Sequence, residues 1–288
     1  MELLSFQTGK YYSSCFSVFK QNIVGDYSVV LLNLPTIIRS MLEDAKELSQ
    51  FNILSIGSGD GTEDIKVAKI VEEELQRIEE YRDVKIFLRG IEPNEYFKSL
   101  YDKAIEELTG SLKTRSVFDF RGNTFEEYMD QNDDLRFDLV VFTHSMYYLD
   151  EEKSLKYCFD RVLREDGKIA VTVEERGPLS SVNFDVDECD IAKLQCYEKV
   201  TKAVEKNKWS SSVFIDAYKI DVTEIFDEKS QDGNLLLDFL MQKVDFRGKA
   251  KKKHVNHVME VLEENTLLKN EKRVAVVFDS MIVISKTN

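Results

Sequence analysis

A chain of 288 residues can bury a full core, as one large domain or as one domain with an insert. Its formal net charge of −14 argues against a nucleic-acid partner. Binding a polyanion needs a basic stripe that releases counterions, and the one dense basic run spans only residues 247–253. No apolar run approaches the roughly 20 residues of a bilayer span, and no signal-peptide pattern opens the sequence. Four scattered cysteines (Cys15, Cys158, Cys189, Cys196) lack metal-ligand spacing, so a reduced, cytoplasmic protein with no membrane partner is expected.

Residues 1–24 carry aromatics in quick succession. Tyr12, Phe16 and Phe19 recur at helical spacing, a stripe that either packs a helix on a core or serves as a lid holding a cation. Asn33 followed by Pro35 predicts a helix start and a helix to about residue 49. It leads into an apolar strand at 52–56. A helix then follows over 62–81, capped by Thr62. Next come a strand over 85–91, a helix over 94–108, a weaker strand over 115–120 and a short helix over 124–129. A fully buried strand is expected over 137–143, a helix over 151–164, a turn over 165–167 and a strand over 168–174. This alternation implies βαβ units and a parallel sheet with helices on both faces.

Beyond residue 175 the order changes. A helix over 191–204 precedes an alternating strand over 212–218, a mostly helical span 223–270 and a last strand over 274–284. Two late strands bracketing an insert suggest an antiparallel pair closing the sheet edge. The expectation is a single domain over 1–288. Residues 1–50 form an N-terminal helical lid or substrate segment, 51–222 and 271–288 the core, and 223–270 a helical cap over the ligand site.

The stretch around which the chain is organised runs from Ile53 to Asp64, where an apolar strand meets Gly57, Gly59 and Gly61 and then a helix. A strand, a glycine turn and a helix N-terminus make a nucleotide-sized site at the carboxyl end of a parallel sheet. The spacing G-x-G-x-G departs from the dinucleotide fingerprint G-x-G-x-x-G. Glu63 and Asp64 follow at once and would repel a phosphate. A phosphate-free ligand with a cationic centre and a free ammonium fits that charge, and S-adenosyl-L-methionine is such a ligand. Glu92, before Pro93, falls at the tip of the next strand, where a carboxylate accepts both ribose hydroxyls. Gly57, Ser58, Gly59, Gly61, Glu92 and Pro93 are therefore cofactor-binding candidates, with S-adenosyl-L-homocysteine as product. With this cofactor, the seven strands and reversed final hairpin describe the Rossmann-like α/β fold of class I methyltransferases.

The strand over 137–143 ends in Thr143-His144-Ser145-Met146-Tyr147-Tyr148, at the sheet end where the ligand is expected. The proline-rich acceptor motif of enzymes that methylate exocyclic base amines is absent. His144 suits a polar contact with an acceptor or the role of proton acceptor; the plainer alternative is a structural hydrogen bond at a strand end. Tyr147 and Tyr148 either wall the pocket or pack under the adjoining helix. His254 and His257 lie three apart, but Lys251, Lys252 and Lys253 oppose a dication, so no metal is expected. Methyl transfer asks for alignment, exclusion of water and a neutral amine, and no catalytic triad is expected.

With these residues placed, the chain resembles the histamine N-methyltransferase family over nearly its whole length. The resemblance rests on Gly9-Lys10-Tyr11, Leu34-Pro35-Thr36-Ile37-Ile38, Leu54-Ser55-Ile56-Gly57-Ser58-Gly59, Glu92-Pro93, Met146-Tyr147-Tyr148, Asp232-Gly233-Asn234-Leu235-Leu236 with Asp238-Phe239-Leu240, and Met281-Ile282-Val283-Ile284. It implies a monomeric cytosolic enzyme that uses S-adenosylmethionine to methylate a ring nitrogen of histamine. The implied cofactor contacts add Thr143 and the pair Thr124 and Phe125, where Phe125 replaces a family serine; Phe97 replaces a family glutamine. On the substrate side the family glutamine becomes His144, its N-terminal glutamate has Asp26 as nearest acid, and its C-terminal asparagine falls near Asp279. The family's paired tryptophans have no counterpart beyond Trp209, and Phe184 fills part of that wall. Tyr11, Tyr147, Tyr148 and Phe246 complete the implied substrate set. These changes leave three acceptors open: an imidazole or other small amine, a hydroxyl, or a carboxylate. A non-catalytic cofactor-binding module is the alternative from another class.

Overall fold

The computed structural model describes residues 1–25, 29–45, 48–109, 112, 116–131, 133–179 and 196–286. In chain order the elements are α1 (Lys10–Gln21), β1 (Ile23–Val24), α2 (Val29–Asp44), β2 (Gln50–Ile56), α3 (Thr62–Arg77), β3 (Lys85–Ile91) and α4 (Glu95–Thr109). They continue with β4 (Ser116–Arg121), α5 (Phe125–Asp130), β5 (Phe137–Thr143), α6 (Glu151–Tyr157), β6 (Leu163–Arg176), α7 (Cys196–Asn207) and β7 (Ser210–Asp221). The last are α8 (Gln231–Met241), α9 (Phe246–Lys249), α10 (Lys252–Glu264), β8 (Thr266–Lys269) and β9 (Lys272–Ser285). Among the described residues there are thus nine strands rather than seven, since the short β1 and β8 join the seven expected.

The chain divides into two compact units. One comprises residues 28–173, 196–215 and 280–288; the other comprises 1–27, 174–195 and 216–279. In the first, β6, β5, β2, β3 and β4 lie side by side in that order, each neighbouring pair parallel. β2 reads Phe-Asn-Ile-Leu-Ser-Ile and is buried over its last six residues, as a central strand covered on both faces must be. Its neighbours on the two sides are β3 and β5, so the strand order reverses there. In open α/β sheets a crevice opens at such a switch point, outside the carboxyl ends of the strands. The strand ends are level: Ile56 pairs with Ile91 on one side and with Phe142 on the other.

The second unit holds β1, antiparallel to β7, and β8, antiparallel to β9. Its core gathers Tyr218, Ile220, Val222, Leu236, Leu237, Met241, Phe246, Val258, Leu262, Ala275 and Val277. The N-terminal aromatic stripe packs beside it. Tyr12, Phe16 and Phe19 stack in sequence, and Phe19 meets Phe239 of α8 with ring centroids 4.5 Å apart. The span 223–270 contains three helices and also β8.

Several local expectations are corrected. α2 begins at Val29, so Asn33 is no cap and Pro35 sits inside the helix. The Asn33 amide instead donates back to the Val29 carbonyl at 2.9 Å. Thr62 is the first helical residue of α3, and Gly61, left-handed at φ 81°, takes the cap position. The helix expected over 151–164 ends early: α6 passes into a π turn over Cys158–Val162, and β6 already starts at Leu163. A single widened turn changes which residues face the core, and period-3.6 reasoning cannot register it.

Candidate functional site

At the end of β2 the chain turns through Gly57, Ser58 and Gly59. Gly57 has φ 75°, and a Cβ there would run into the Ser145 side chain, so only glycine lets the turn close on the β5 loop. The amides of Gly57 and Ser58 both donate to the Ile91 carbonyl, at 2.8 and 3.2 Å. The Ser145 hydroxyl, from the loop after β5, donates to the carbonyl of Ile56. The turn is therefore tied to both neighbouring strands of the switch point.

Glu92 continues β3 and is buried. Its Oε2 accepts from the Gly59 amide at 3.0 Å and its Oε1 from the Asn94 amide at 2.8 Å. A carboxylate offers about four acceptor positions, so one remains on each oxygen for a further donor. Burial pushes the Glu92 carboxyl up to about 7, against the lowering effect of the Asn94 and Gly59 amides. Pro93 follows at half-burial, and Asn94 Oδ1 accepts the Tyr96 amide at 3.0 Å as α4 begins. This arrangement presents a buried acid beside a glycine turn, level with the helix start of α3. It fits a ligand offering a vicinal diol and carrying positive charge.

The other cofactor candidates are placed differently. Thr124 caps α5 in a reciprocal box: its hydroxyl accepts the Glu127 amide at 3.2 Å and its own amide donates to Glu127 Oε2 at 2.8 Å. Phe125 is buried and meets Phe142 edge-on at 6.0 Å, and Phe97 is also buried. Thr143 ends β5, half-buried and paired with Thr172 of β6.

His144 is exposed and has φ 53°, a left-handed conformation uncommon for a residue with a Cβ. Its amide donates to the Thr172 carbonyl at 2.9 Å, and its Nδ1 lies 3.2 Å from the Tyr147 hydroxyl. The two rings stack with centroids 6.2 Å apart. Tyr147 belongs to the hydrophobic core, whereas Tyr148 is exposed. In this unit the fold gathers Gly57, Ser58, Gly59, Gly61, Glu92, Thr143, His144 and Tyr147 onto the carboxyl ends of adjacent strands.

In the second unit, described on its own, Tyr11 and Phe246 meet at one buried carboxyl. The Tyr11 hydroxyl donates to Asp238 Oδ2 at 2.7 Å, and the Phe246 amide donates to Oδ1 at 2.9 Å. Burial and Asp238 together raise the Tyr11 phenol above its ordinary range. Asp279 is buried on β9. Asp26 and Phe184 lie outside the described residues.

Sequence reasoning missed Ser145, Asn94 and Tyr101, and its reading of Asp64 as a phosphate-repelling charge is corrected: Asp64 is buried, accepts from Ser55 and Tyr101, and burial favours its neutral form. Asn94 carried a signal, since Asn two residues past a strand-end acid suits a helix cap. Ser145, Asp64 and Tyr101 act through contacts between distant elements, which no local pattern announces.

The strand order and the glycine turn with its neighbouring acid define a Rossmann-like α/β sheet with a ligand-sized crevice at its switch point. No family model matches the chain. The chain is 24% identical over 227 residues to a histamine N-methyltransferase of Danio rerio, covering 74% of each. It is also 24% identical over 264 residues to histamine N-methyltransferase A of Xenopus laevis, covering 83% of this chain and 82% of that protein. Among solved structures, the plantazolicin methyltransferase BpumL in complex with a triazolic desmethylPZN analog and SAH is similar with a TM-score of 0.49. Its identity is 13%, covering 98% of this chain and 94% of that one.

Proposed function

We propose that this chain is an S-adenosyl-L-methionine-dependent N-methyltransferase acting on a small amine, with histamine or another imidazole or aromatic amine as the leading acceptor. The observation that carries the proposal is the Glu92 carboxylate, buried at the strand end and bonded to the Gly59 amide. The two histamine N-methyltransferase relatives support the choice of acceptor class.

When bound, S-adenosylmethionine supplies a methyl group already activated on a sulfonium, with S-adenosylhomocysteine as the second product. Glu92, ionised, would hold the ribose diol of that cofactor. The glycine turn gives close backbone approach. Glu63, half-buried in the first turn of α3, is paired with Lys66 at 2.6 Å, so its charge is largely answered and adds little to ligand choice. His144, oriented by the Tyr147 hydroxyl, takes a hydrogen bond from the acceptor and holds the proton that the nitrogen releases after attack. The rest of the rate comes from alignment and exclusion of water.

Isothermal titration with S-adenosylmethionine and S-adenosylhomocysteine tests the cofactor. A labelled-methyl assay over a panel of imidazoles, aromatic amines, alcohols and carboxylates tests the acceptor. Turnover confined to alcohols or carboxylates would replace the amine, and binding of neither cofactor form would remove the proposal.

A further inference from the structure

The chemistry above leaves one buried acid unused. Asp64, in the first turn of α3, is 1% exposed. Its Oδ1 accepts from the Ser55 hydroxyl of β2 at 2.5 Å, and its Oδ2 accepts from the Tyr101 hydroxyl of α4 at 3.1 Å. Ser58, inside the glycine turn, donates its hydroxyl to the carbonyl of the same Ser55 at 3.3 Å. Two glycines make room for this convergence. A Cβ on Gly90 would come 2.5 Å from Ser58 Oγ and 3.0 Å from the Tyr101 hydroxyl oxygen. A Cβ on Gly61 would come 3.0 Å from the Tyr101 ring. A strand and two helices thus meet at a single carboxyl, and the turn is fastened to that strand through Ser58 and Ser55.

We propose that Asp64 is a positioning residue for the cofactor: through Ser55, Ser58 and Tyr101 it fixes the shape in which the glycine turn receives its ligand. The proposal rests on the assignment of that turn as the S-adenosylmethionine seat. Asp64 touches no ligand in this scheme. It holds Ser55, whose carbonyl accepts the Ser58 hydroxyl, and the neighbouring Gly59 amide then meets Glu92.

Burial would raise the cost of such a carboxyl, and the surroundings agree. Desolvation pushes it up to about 7, the Ser55 and Tyr101 hydroxyls pull it down, and neighbouring Glu63 raises it further. Asp102 and Asp119 act on the Tyr101 phenol, which burial and Asp64 raise above its ordinary range. Within the folded state the acid therefore retains its proton well above the range of a free carboxylate. That proton is bound only while the protein is folded. Stability from this group falls as pH rises from the carboxylate range through about 7.

A merely structural acid and a positioning acid then differ in a measurable way. Asp64→Asn keeps the shape and removes the buried charge, so its melting temperature at pH 8 should equal or exceed that of the wild type. Its affinity for S-adenosylhomocysteine should nevertheless drop about tenfold, the size that supporting partners carry at metal sites. KM for S-adenosylmethionine should rise with kcat largely kept. Tyr101→Phe, which removes one hydroxyl, should weaken binding less and shift the midpoint of the pH profile of binding upward. The inference is overturned if both variants bind with wild-type affinity and an unchanged pH profile, or if Asp64→Asn merely loses melting temperature with its KM intact. Wild-type protein that binds neither cofactor form would overturn the cofactor assignment itself, a separate and recognisable result.

Discussion

The two sides of the crevice in the first unit are built on opposite plans. On the glycine side, Glu92 is buried with both oxygens bonded to backbone amides, and the turn beneath it is tied to β3 and to the β5 loop. On the β5 side, His144 is exposed, holds a left-handed backbone and places Nδ1 3.2 Å from the Tyr147 hydroxyl. Preorganised groups suit a ligand that never changes, because ordering costs are met during folding. An exposed side chain on a short loop can change without disturbing the packing beneath it. On the proposed reading, cofactor affinity and acceptor choice are therefore separable.

The largest expected effect breaks the glycine side. Glu92→Ala removes an ionised acceptor of two hydroxyls, each worth about 1.5–3 kcal/mol, so affinity for S-adenosylhomocysteine should fall about a hundredfold or more by titration calorimetry. Acceptor KM at saturating cofactor should stay near wild type. A loss below about threefold would mean that Glu92 serves the fold alone.

Next comes pH. On the proposed reading Glu92 accepts the two ligand hydroxyls in its ionised form, and burial pushes its carboxyl up to about 7. Cofactor affinity should therefore decline below pH 7, approaching about tenfold per unit for one coupled proton. The free protein should move the other way. Glu92 binds its proton more tightly folded than unfolded, so this group's contribution to stability falls as pH rises from the ordinary carboxylate range to about 7. Melting curves at pH 6 and 8 without ligand check the sign, and a flat affinity profile from pH 6 to 8 would contradict the assignment.

A smaller effect sharpens the other side. His144→Ala should reduce turnover of the acceptor about tenfold and leave cofactor affinity within twofold. His144→Gly should share that kinetic defect while gaining about 1 kcal/mol in chemical denaturation, because glycine tolerates the left-handed backbone. Unchanged turnover in both would take His144 out of the site. The smallest effect concerns Thr124, whose side chain is committed to the α5 capping box. Thr124→Ala should cost about 1 kcal/mol of stability with cofactor binding intact. A clear loss of cofactor affinity would instead reinstate it as a contact.

The same contrast explains what the sequence disclosed. The strands over Lys85–Ile91 and Phe137–Thr143 are readable to the residue, because central parallel strands are continuous apolar runs ended by polar or glycine residues. Gly57 and Glu92 are legible for a related reason: a turn and a strand tip are local, and their chemistry is dictated by neighbours in sequence. The π turn over Cys158–Val162 and the early start of α2 were hidden, since each sets tertiary packing against local preference. Ser145 closing onto Ile56, or Asp64 meeting Tyr101, joins residues 89 and 37 positions apart. The acceptor side was least legible, because His144 is exposed and its left-handed backbone is set by the bond of its amide to the distant Thr172 carbonyl.

The backbone at position 144 has a consequence for how such a protein can diversify. A left-handed residue directly after a central strand admits a short alphabet: glycine at no steric cost, then asparagine, aspartate or histidine, and hardly any β-branched residue. Exploration of new acceptors at this corner is thereby confined to small or polar side chains unless the loop itself is rebuilt. Specificity there would change in discrete jumps between hydrogen-bonding groups, with no smooth series of apolar intermediates between them.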